Sequence, residues 1–471
     1  MLGQQRPDGV AVSPEAAEVA EAEQVGAFAL ARVGENRAQR VRVGVYASED
    51  GNAGQGVPLR STVFRWTLPQ ATDDRIMTRA VAIMGSGPIG LDAALAAAER
   101  GLDVTLYEAG EAVGAHVRRW GHVRTFTPWS MSVSPRARRA LGQRAPAGPA
   151  LPTGSELVER LLEPLAALPA LRARLRLGTR VVAVGREGLL KHEAIGAPER
   201  ALRKFRLLLV DRDGAESVVR ADVVIDATGT YSHPNRLGDG GIAAVGEGAC
   251  EDRIDRHLTP FAEEPGRWAG ATVLLTGSGH SAQTAARELA LFARDAPGTR
   301  VIWALRRSEA DFGAIAGDPL PERAALNADA AALAAGASPA VEVRTGVVTE
   351  VLAPHDGRVA VTLRNGDDSE LVADRILALN GSVGDASLYR QLQVHECYAT
   401  CGPMKLAAAL LGETGGDCLS IAPAGPDALA NPEPGFFILG AKSYGRNSQF
   451  LMRTGWSQVD DVFGSLLGRP E

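Results

Sequence analysis

The chain has 471 residues, 45% hydrophobic and 23% charged, which is the composition of an ordinary globular protein with room for about three domain-sized units. A formal net charge of −6 argues against a nucleic-acid binder held by bulk electrostatics, and four cysteines are too few for a disulfide scaffold. No stretch approaches a transmembrane run and the N-terminus has no basic start followed by an apolar core, so no membrane partner is expected and the cytoplasm is the default location.

Residues 1–76 read differently from the rest. Pro, Gly, Ser and Asp punctuate them, and their periodicity is weak. They read as an N-terminal extension, either disordered or preceding a natural start at Met77, with a real accessory segment as the rival reading. Strand–turn–helix logic begins after Met77. A strand over 81–84 enters the turn GSGPIG, a helix is predicted over 89–100, and a strand follows over 104–108. This is a βαβ unit. Gly85, Gly87 and Gly90 form G-x-G-x-x-G, with Pro88 and Ile89 between. The first glycine permits the tight turn, the second lets a pyrophosphate approach the backbone, and the third lets helix and strand pack closely. Glu108 closes the second strand, where an acid accepts hydrogen bonds from a ribose diol.

Further along, a helix over 155–165 and a strand over 223–226 precede the turn Ala227-Thr228-Gly229. The βαβ pattern then recurs. A strand over 271–275 leads into GSGHSA, a helix over 281–294 and a strand over 301–305. Gly277, Gly279 and Ala282 form G-x-G-x-x-A. This second unit ends in Arg306 and Arg307 instead of an acid. Arginine pairs with a 2′-phosphate, so NADPH is expected over NADH. The alternative is a pair of surface arginines in a chain whose only lysines are Lys191, Lys204, Lys405 and Lys442. His280 and Ser281 open the second helix, where they touch the pyrophosphate or cap the helix. A helix over 321–336, alternating strands over 341–351 and 358–363, and strands over 375–379 and 436–439 follow. A final helix is predicted over 449–467, with Asn447 as its N-cap.

Two such units call for two dinucleotides, FAD in the first and NADPH in the second. The fold class expected is α/β, with two Rossmann-like dinucleotide-binding domains, the NAD(P)-binding domain inserted into the FAD-binding domain. The boundaries expected are 77–266 and 376–471 for the FAD-binding domain and 267–375 for the NADPH-binding domain.

On GSGPIG at 85–90, Glu108, the 227–229 turn, GSGHSA at 277–282, Arg306 and Arg307, and the stretches 114–129 and 440–459, the chain resembles the two-dinucleotide-binding flavoproteins. Within them it is similar to the bacterial flavin-containing monooxygenase-like branch, over about residues 78–470. The resemblance implies that the 227–229 turn lies where the chain crosses between domains. It also implies that the last helix points its N-terminus at the flavin, with Gly440 and Lys442 in the loop before it. Lys442 and Arg446 in a solvated loop are the alternative. His116, Trp120, His122 and Trp129 fall where the family lines the flavin ring, against the plainer reading of core tryptophans and structural histidines. Three departures stand out. His257 precedes Gly277 by 20 residues without the expected FxG, Asn380-Gly381 replaces a second ATG-like turn, and Gly440-Ala441 replaces a Gly-Asp pair.

The activity implied is an FAD-dependent NADPH oxidoreductase, foremost a monooxygenase that uses a hydroperoxyflavin, a small-molecule substrate and molecular oxygen. A reductase without oxygen insertion and a non-catalytic nucleotide-binding sensor are the alternatives. Cys397 and Cys401, spaced C-x-x-x-C, read as ordinary thiols before a redox pair. No acid or base residue can be assigned, no metal site is expected, and the oligomeric state is open.

Overall fold

The computed structural model describes residues 79–411 and 425–467. The reading of residues 1–76 lies outside them. Among the described residues no helix is long and apolar enough to cross a membrane, and no cluster of His, Cys, Asp and Glu could hold a metal.

Two parallel sheets organise the chain. The first begins with β1 (Ala80–Met84), α1 (Pro88–Glu99) and β2 (Asp103–Tyr107). It is completed by β3 (Leu175–Arg176), β7 (Val223–Asp226) and β16 (Phe436–Ile438), in the order β16-β7-β1-β2-β3. Every pairing in it is parallel. The pattern expected of a buried parallel strand is met in β7, where all four residues are buried. The second sheet contains β8 (Ile254–Asp255), β9 (Thr272–Thr276), β10 (Arg300–Leu305), β11 (Val341–Thr345) and β15 (Arg375–Ala378). Its order is β11-β10-β9-β15-β8, again parallel throughout. The helices α2 (His280–Asp295) and α3 (Pro321–Ala334) belong to it. Two of its strands, β8 and β15, lie before and across the ends of the 267–375 range.

Each sheet carries a small antiparallel meander. The first is β4 (Arg180–Arg186), β5 (Phe205–Val210) and β6 (Glu216–Ala221), which the alternation did not reveal. The second is β12 (Val348–His355), β13 (Arg358–Asn365) and β14 (Asp367–Ala373). The strand expected over 341–351 is therefore two strands in two sheets. Gly346, at φ +67°, makes the break.

The final helix, α4 (Met452–Leu467), starts later than predicted. The Asn447 side chain accepts from the Gln449 N–H at 2.9 Å, a local turn that precedes the helix and does not cap it. Val459, Val462 and Phe463 on α4 are buried in one core with Leu91, Leu95 and the other apolar residues of α1. Gly455 makes the crossing possible, since a Cβ there would lie 2.4 Å from Cδ1 of Ile89. Ile89, expected at the cofactor, thus spends its side chain on packing against α4.

Candidate active site

The first glycine turn is built by backbone crowding. Gly85 sits at φ +95°, and a Cβ on it would meet the Ala227 carbonyl oxygen at 2.7 Å. A Cβ on Gly90 would lie 1.8 Å from the Gly85 carbonyl oxygen. Gly87 is different. A Cβ there would meet nothing within 4 Å. Gly87 is the N-cap of α1, Pro88 follows at the first helical positions, and no side chain caps the end. The turn therefore presents open space at an uncapped helix N-terminus, which suits a pyrophosphate. Glu108 closes the cradle. One of its oxygens accepts from the Ser86 N–H at 2.8 Å and the Ser86 hydroxyl at 2.7 Å, and the other from the Gly110 N–H at 2.8 Å. A carboxylate has about four acceptor positions. One remains for a ribose hydroxyl.

The second turn repeats the design. A Cβ on Gly277, at φ +105°, would meet the Leu379 carbonyl oxygen at 2.3 Å, while one on Gly279 meets nothing within 4 Å. Gly279 is the N-cap of α2, again without a side-chain cap, so neither His280 nor Ser281 caps the helix. Ala282 is fully buried. The indole N–H of Trp303 donates to the Gly277 carbonyl at 2.8 Å and the Gln283 amide to that of Ser278 at 2.9 Å, which fixes the loop. Beyond β10, Arg307 pairs with Asp311 at 2.8 Å. Arg306 is exposed and has no ion partner among the described residues.

The loop expected to face the flavin is rearranged by Lys442. Its ammonium is buried, 2.5 Å from a carboxylate oxygen of buried Asp226, 2.8 Å from the Asp385 carbonyl and 3.3 Å from the Thr228 hydroxyl. Both expectations for Lys442 are corrected: it is neither a solvated charge nor a free charge offered to the ring. Its partner Asp226 also accepts from the Thr228 N–H at 3.1 Å and hydroxyl at 2.7 Å, so the lysine ties down the 227–229 turn. Gly229 takes φ +72° there, with open space above its Cα. Gly440, at φ +75°, donates its N–H to Gln458 of α4 at 2.9 Å, and Gln458 in turn donates to Ser443 at 2.9 Å.

Between the 120–126 segment and the start of α2 lies a cavity of about 320 Å³. Trp120, Phe126, Tyr231, Arg256, His257 and His280 are among its lining residues. The rings are ordered against one another. Tyr231 stacks on His257 with centroids 4.0 Å apart and planes 11° apart, and Phe126 meets His280 edge-on at 5.2 Å. His116 contacts Tyr231 at 5.5 Å and shares a 3.0 Å hydrogen bond with the Ser232 hydroxyl. His122 is not among the cavity's lining residues; its Nε2 is buried and unpartnered, as is the Tyr231 hydroxyl. Trp129 is a core residue, 1% exposed, with the Arg160 guanidinium 5.1 Å from its ring. Sequence reasoning missed Phe126, Tyr231 and Arg256, because only the juxtaposition of distant segments brings them together.

Burial pushes the imidazoles toward the neutral form, His257 down to about 4 with Arg119, His116 and Arg256 adding to the effect. His116, His122 and His280 shift down for the same leading reason. Burial raises the Tyr231 phenol to about 12. As pH falls from near 6.5 toward 4, the unfolded chain binds a proton that folded His257 refuses, so stability is expected to fall over that window. Thermal unfolding at pH 7 and pH 5 checks this. His257→Gln should flatten the loss, and an unchanged slope would show that His257 is not its cause.

Cys250, Cys397 and Cys401 are free thiols. The Cys401 N–H donates to the Cys397 carbonyl at 2.8 Å, closing a turn whose end is in the left-handed region, at φ +60°.

Two parallel sheets, each with a glycine turn whose middle glycine opens onto free space, define a two-dinucleotide-binding flavoprotein fold. The model of the pyridine nucleotide-disulphide oxidoreductase family matches residues 79–397, and the chain belongs to that family. FAD and a pyridine nucleotide are its cofactors, and the two cradles fit them. Among solved structures, the bacillithiol disulfide reductase Bdr (YpdA) from Bacillus cereus is similar at a TM-score of 0.60 and 19% identity, covering 83% of this chain and 100% of its own. DfoA, the desferrioxamine-pathway cadaverine monooxygenase from Erwinia amylovora, is similar at 0.57 and 13%, covering 83% and 94%. The ornithine hydroxylase PvdA from Pseudomonas aeruginosa is similar at 0.55 and 15%, covering 83% and 99%. A search of curated protein sequences returned no match.

Proposed function

We propose that the protein is an NADPH-dependent FAD monooxygenase acting on a small molecule in the cytoplasm, with the NADPH-binding domain inserted into the FAD-binding domain. The observation that carries this reading is the wall of the cavity. It brings aromatic rings and imidazoles held toward the neutral form, together with Arg124 and Arg256, to the N-terminus of the second dinucleotide helix. Bound FAD supplies the two-electron and oxygen chemistry. The chain's own residues do the rest. Gly85, Gly87, Pro88 and Gly90 present the α1 N-terminus to the first pyrophosphate, and Glu108 holds the ribose. Gly277, Gly279, His280 and Ser281 present α2 to the second. The stacked Tyr231 and His257, with Trp120 and Phe126, line one part of the cavity and offer ring faces to a bound molecule. Each turnover takes one NADPH, one proton and one O2, and yields NADP+, water and one oxygen atom on the substrate.

A reductase without oxygen insertion is the second reading, favoured by the likeness to the bacillithiol disulfide reductase. Turnover under 18O2 separates the two. Label in an organic product supports the monooxygenase, and NADPH oxidation that yields only peroxide or a reduced acceptor supports the reductase.

Arg306 is assigned to the 2′-phosphate, since Arg307 is already engaged by Asp311. Arg306→Ala is expected to raise the KM for NADPH by about tenfold, the worth of one charge-assisted hydrogen bond. The KM for NADH should stay unchanged, and Arg307→Ala should have a smaller effect. Steady-state kinetics with both nucleotides check it, and equal effects on both would refute the role.

A further inference from the structure

Two cysteines that the proposed reaction leaves unused are held together by the backbone. Residues 395–404 form a narrow hairpin. The Met404 N–H donates to the His395 carbonyl, the Cys397 N–H to that of Gly402 and the Cys401 N–H to that of Cys397, each at 2.8 Å. Across the last of these bonds, standard bond lengths allow the Cα atoms of Cys397 and Cys401 to stand at most about 6.7 Å apart. A disulfide spans roughly 4.4–6.8 Å between Cα atoms. Cys250, the other thiol among the described residues, is buried on the segment Glu247–Arg253.

The two sulfurs have different surroundings. Cys397 is 4% exposed. The Thr400 hydroxyl and the N–H groups of Thr400 and Ala399 donate to its sulfur and hold the thiol below its usual range. Cys401 is partly exposed, in a turn whose Tyr398 is 94% exposed. Its φ of +60° is one that asparagine or glycine adopts more readily, so backbone preference does not explain a cysteine there. One thiol is thus reachable from solvent, and a stabilised thiolate stands beside it. The turn also abuts the loop after β16. The Thr400 carbonyl accepts from the Arg446 N–H at 2.6 Å, and a Cβ on Gly445 would lie 1.9 Å from that oxygen.

We infer that Cys397 and Cys401 are a peroxide-oxidised pair that closes a disulfide across this turn. Cys401 meets the oxidant. One hydrogen peroxide converts its thiol to the sulfenic acid and leaves as water. The Cys397 thiolate then attacks the Cys401 sulfur. The S–S bond forms, the S–O bond breaks, and the oxygen leaves as a second water with the proton that Cys397 gave up. Two thiols and one peroxide give one disulfide and two waters. Reduced flavin releases peroxide when it meets oxygen with no other acceptor, under either reading of the reaction.

The test is peptide mapping of the full-length, FAD-loaded protein after reduction, brief exposure to equimolar hydrogen peroxide, and alkylation with N-ethylmaleimide under denaturing conditions. Peroxide is added directly, so the outcome does not depend on the proposed reaction. Trypsin releases both cysteines in one peptide, residues 391–405, apart from Cys250 and Cys418. That peptide is expected to lose two hydrogens and refuse the label, about tenfold or more faster than Cys250 is oxidised, and dithiothreitol should restore both sites. Cys397→Ser should leave a sulfenic acid at Cys401 that dimedone traps. Cys401→Ser should slow oxidation of Cys397 by about tenfold or more, with flavin content confirming that each variant folds. Labelling of 391–405 that peroxide does not reduce overturns the inference. So does a disulfide from either cysteine to Cys418 or to a second chain, and so does undiminished oxidation of Cys397 in the Cys401→Ser variant.

Discussion

Gly87→Asp is expected to give a folded protein that purifies without its yellow colour. The reason lies in the difference between the three glycines of the first turn. Gly87 has φ −74° and ψ −175°, which any residue adopts, and a side chain there would enter open space. Aspartate is also a favoured N-cap, so α1 should be held at least as well. Yet that open space is where the pyrophosphate belongs, and the new carboxylate brings negative charge to the positive end of the helix. FAD affinity is expected to drop by about 100-fold or more, the equivalent of roughly 2.7 kcal/mol. Gly90→Ala is the control with the opposite cause. Its methyl would sit 1.8 Å from the Gly85 carbonyl oxygen, so backbone must move and the fold itself should suffer. Flavin content and circular dichroism on the two variants separate the effects. A Gly87→Asp protein that keeps its flavin would refute the placement of the pyrophosphate.

Lys442→Met should destabilise the protein by about 3–5 kcal/mol, the cost of leaving one member of a buried ion pair alone. Asp226 is fully buried and would keep only its contacts with Thr228. Adding Asp226→Asn to the variant should recover most of the loss, because the uncompensated charge is then gone. Urea unfolding of wild type, both single variants and the double variant checks this. A single-variant cost below about 1 kcal/mol would show the pair to be energetically idle. The pair matters to function because it joins the turn after β7 to the loop before α4, the two segments that frame the first dinucleotide site.

Much of this was legible in the sequence because it is local. The glycine spacings and Glu108 lie within single βαβ units, where spacing alone encodes close approach, and the buried β7 shows as a short apolar run closed by Asp226. The β4–β6 meander escaped because half-buried strands such as Glu216–Ala221 carry little alternation. The stretch 341–351 misled because its apolar rhythm runs through Gly346 while the backbone changes sheet. Lys442 was misplaced for a deeper reason. Its partner stands 216 residues away, and no local pattern announces that a lysine in a loop is buried. Tyr231 and Arg256 are likewise ordinary residues until the fold brings them to the wall shared with Trp120 and Phe126.

With FAD on the first turn and NADPH on the second, electrons should pass from one to the other within a single chain. Anaerobic addition of NADPH to the purified protein tests it most directly, read in the visible absorbance of the flavin. Rapid bleaching with one NADPH per FAD, slower with NADH and lost in Gly279→Asp while the colour remains, is the result expected. A yellow protein that NADPH cannot bleach, or a protein that never holds FAD, would contradict it.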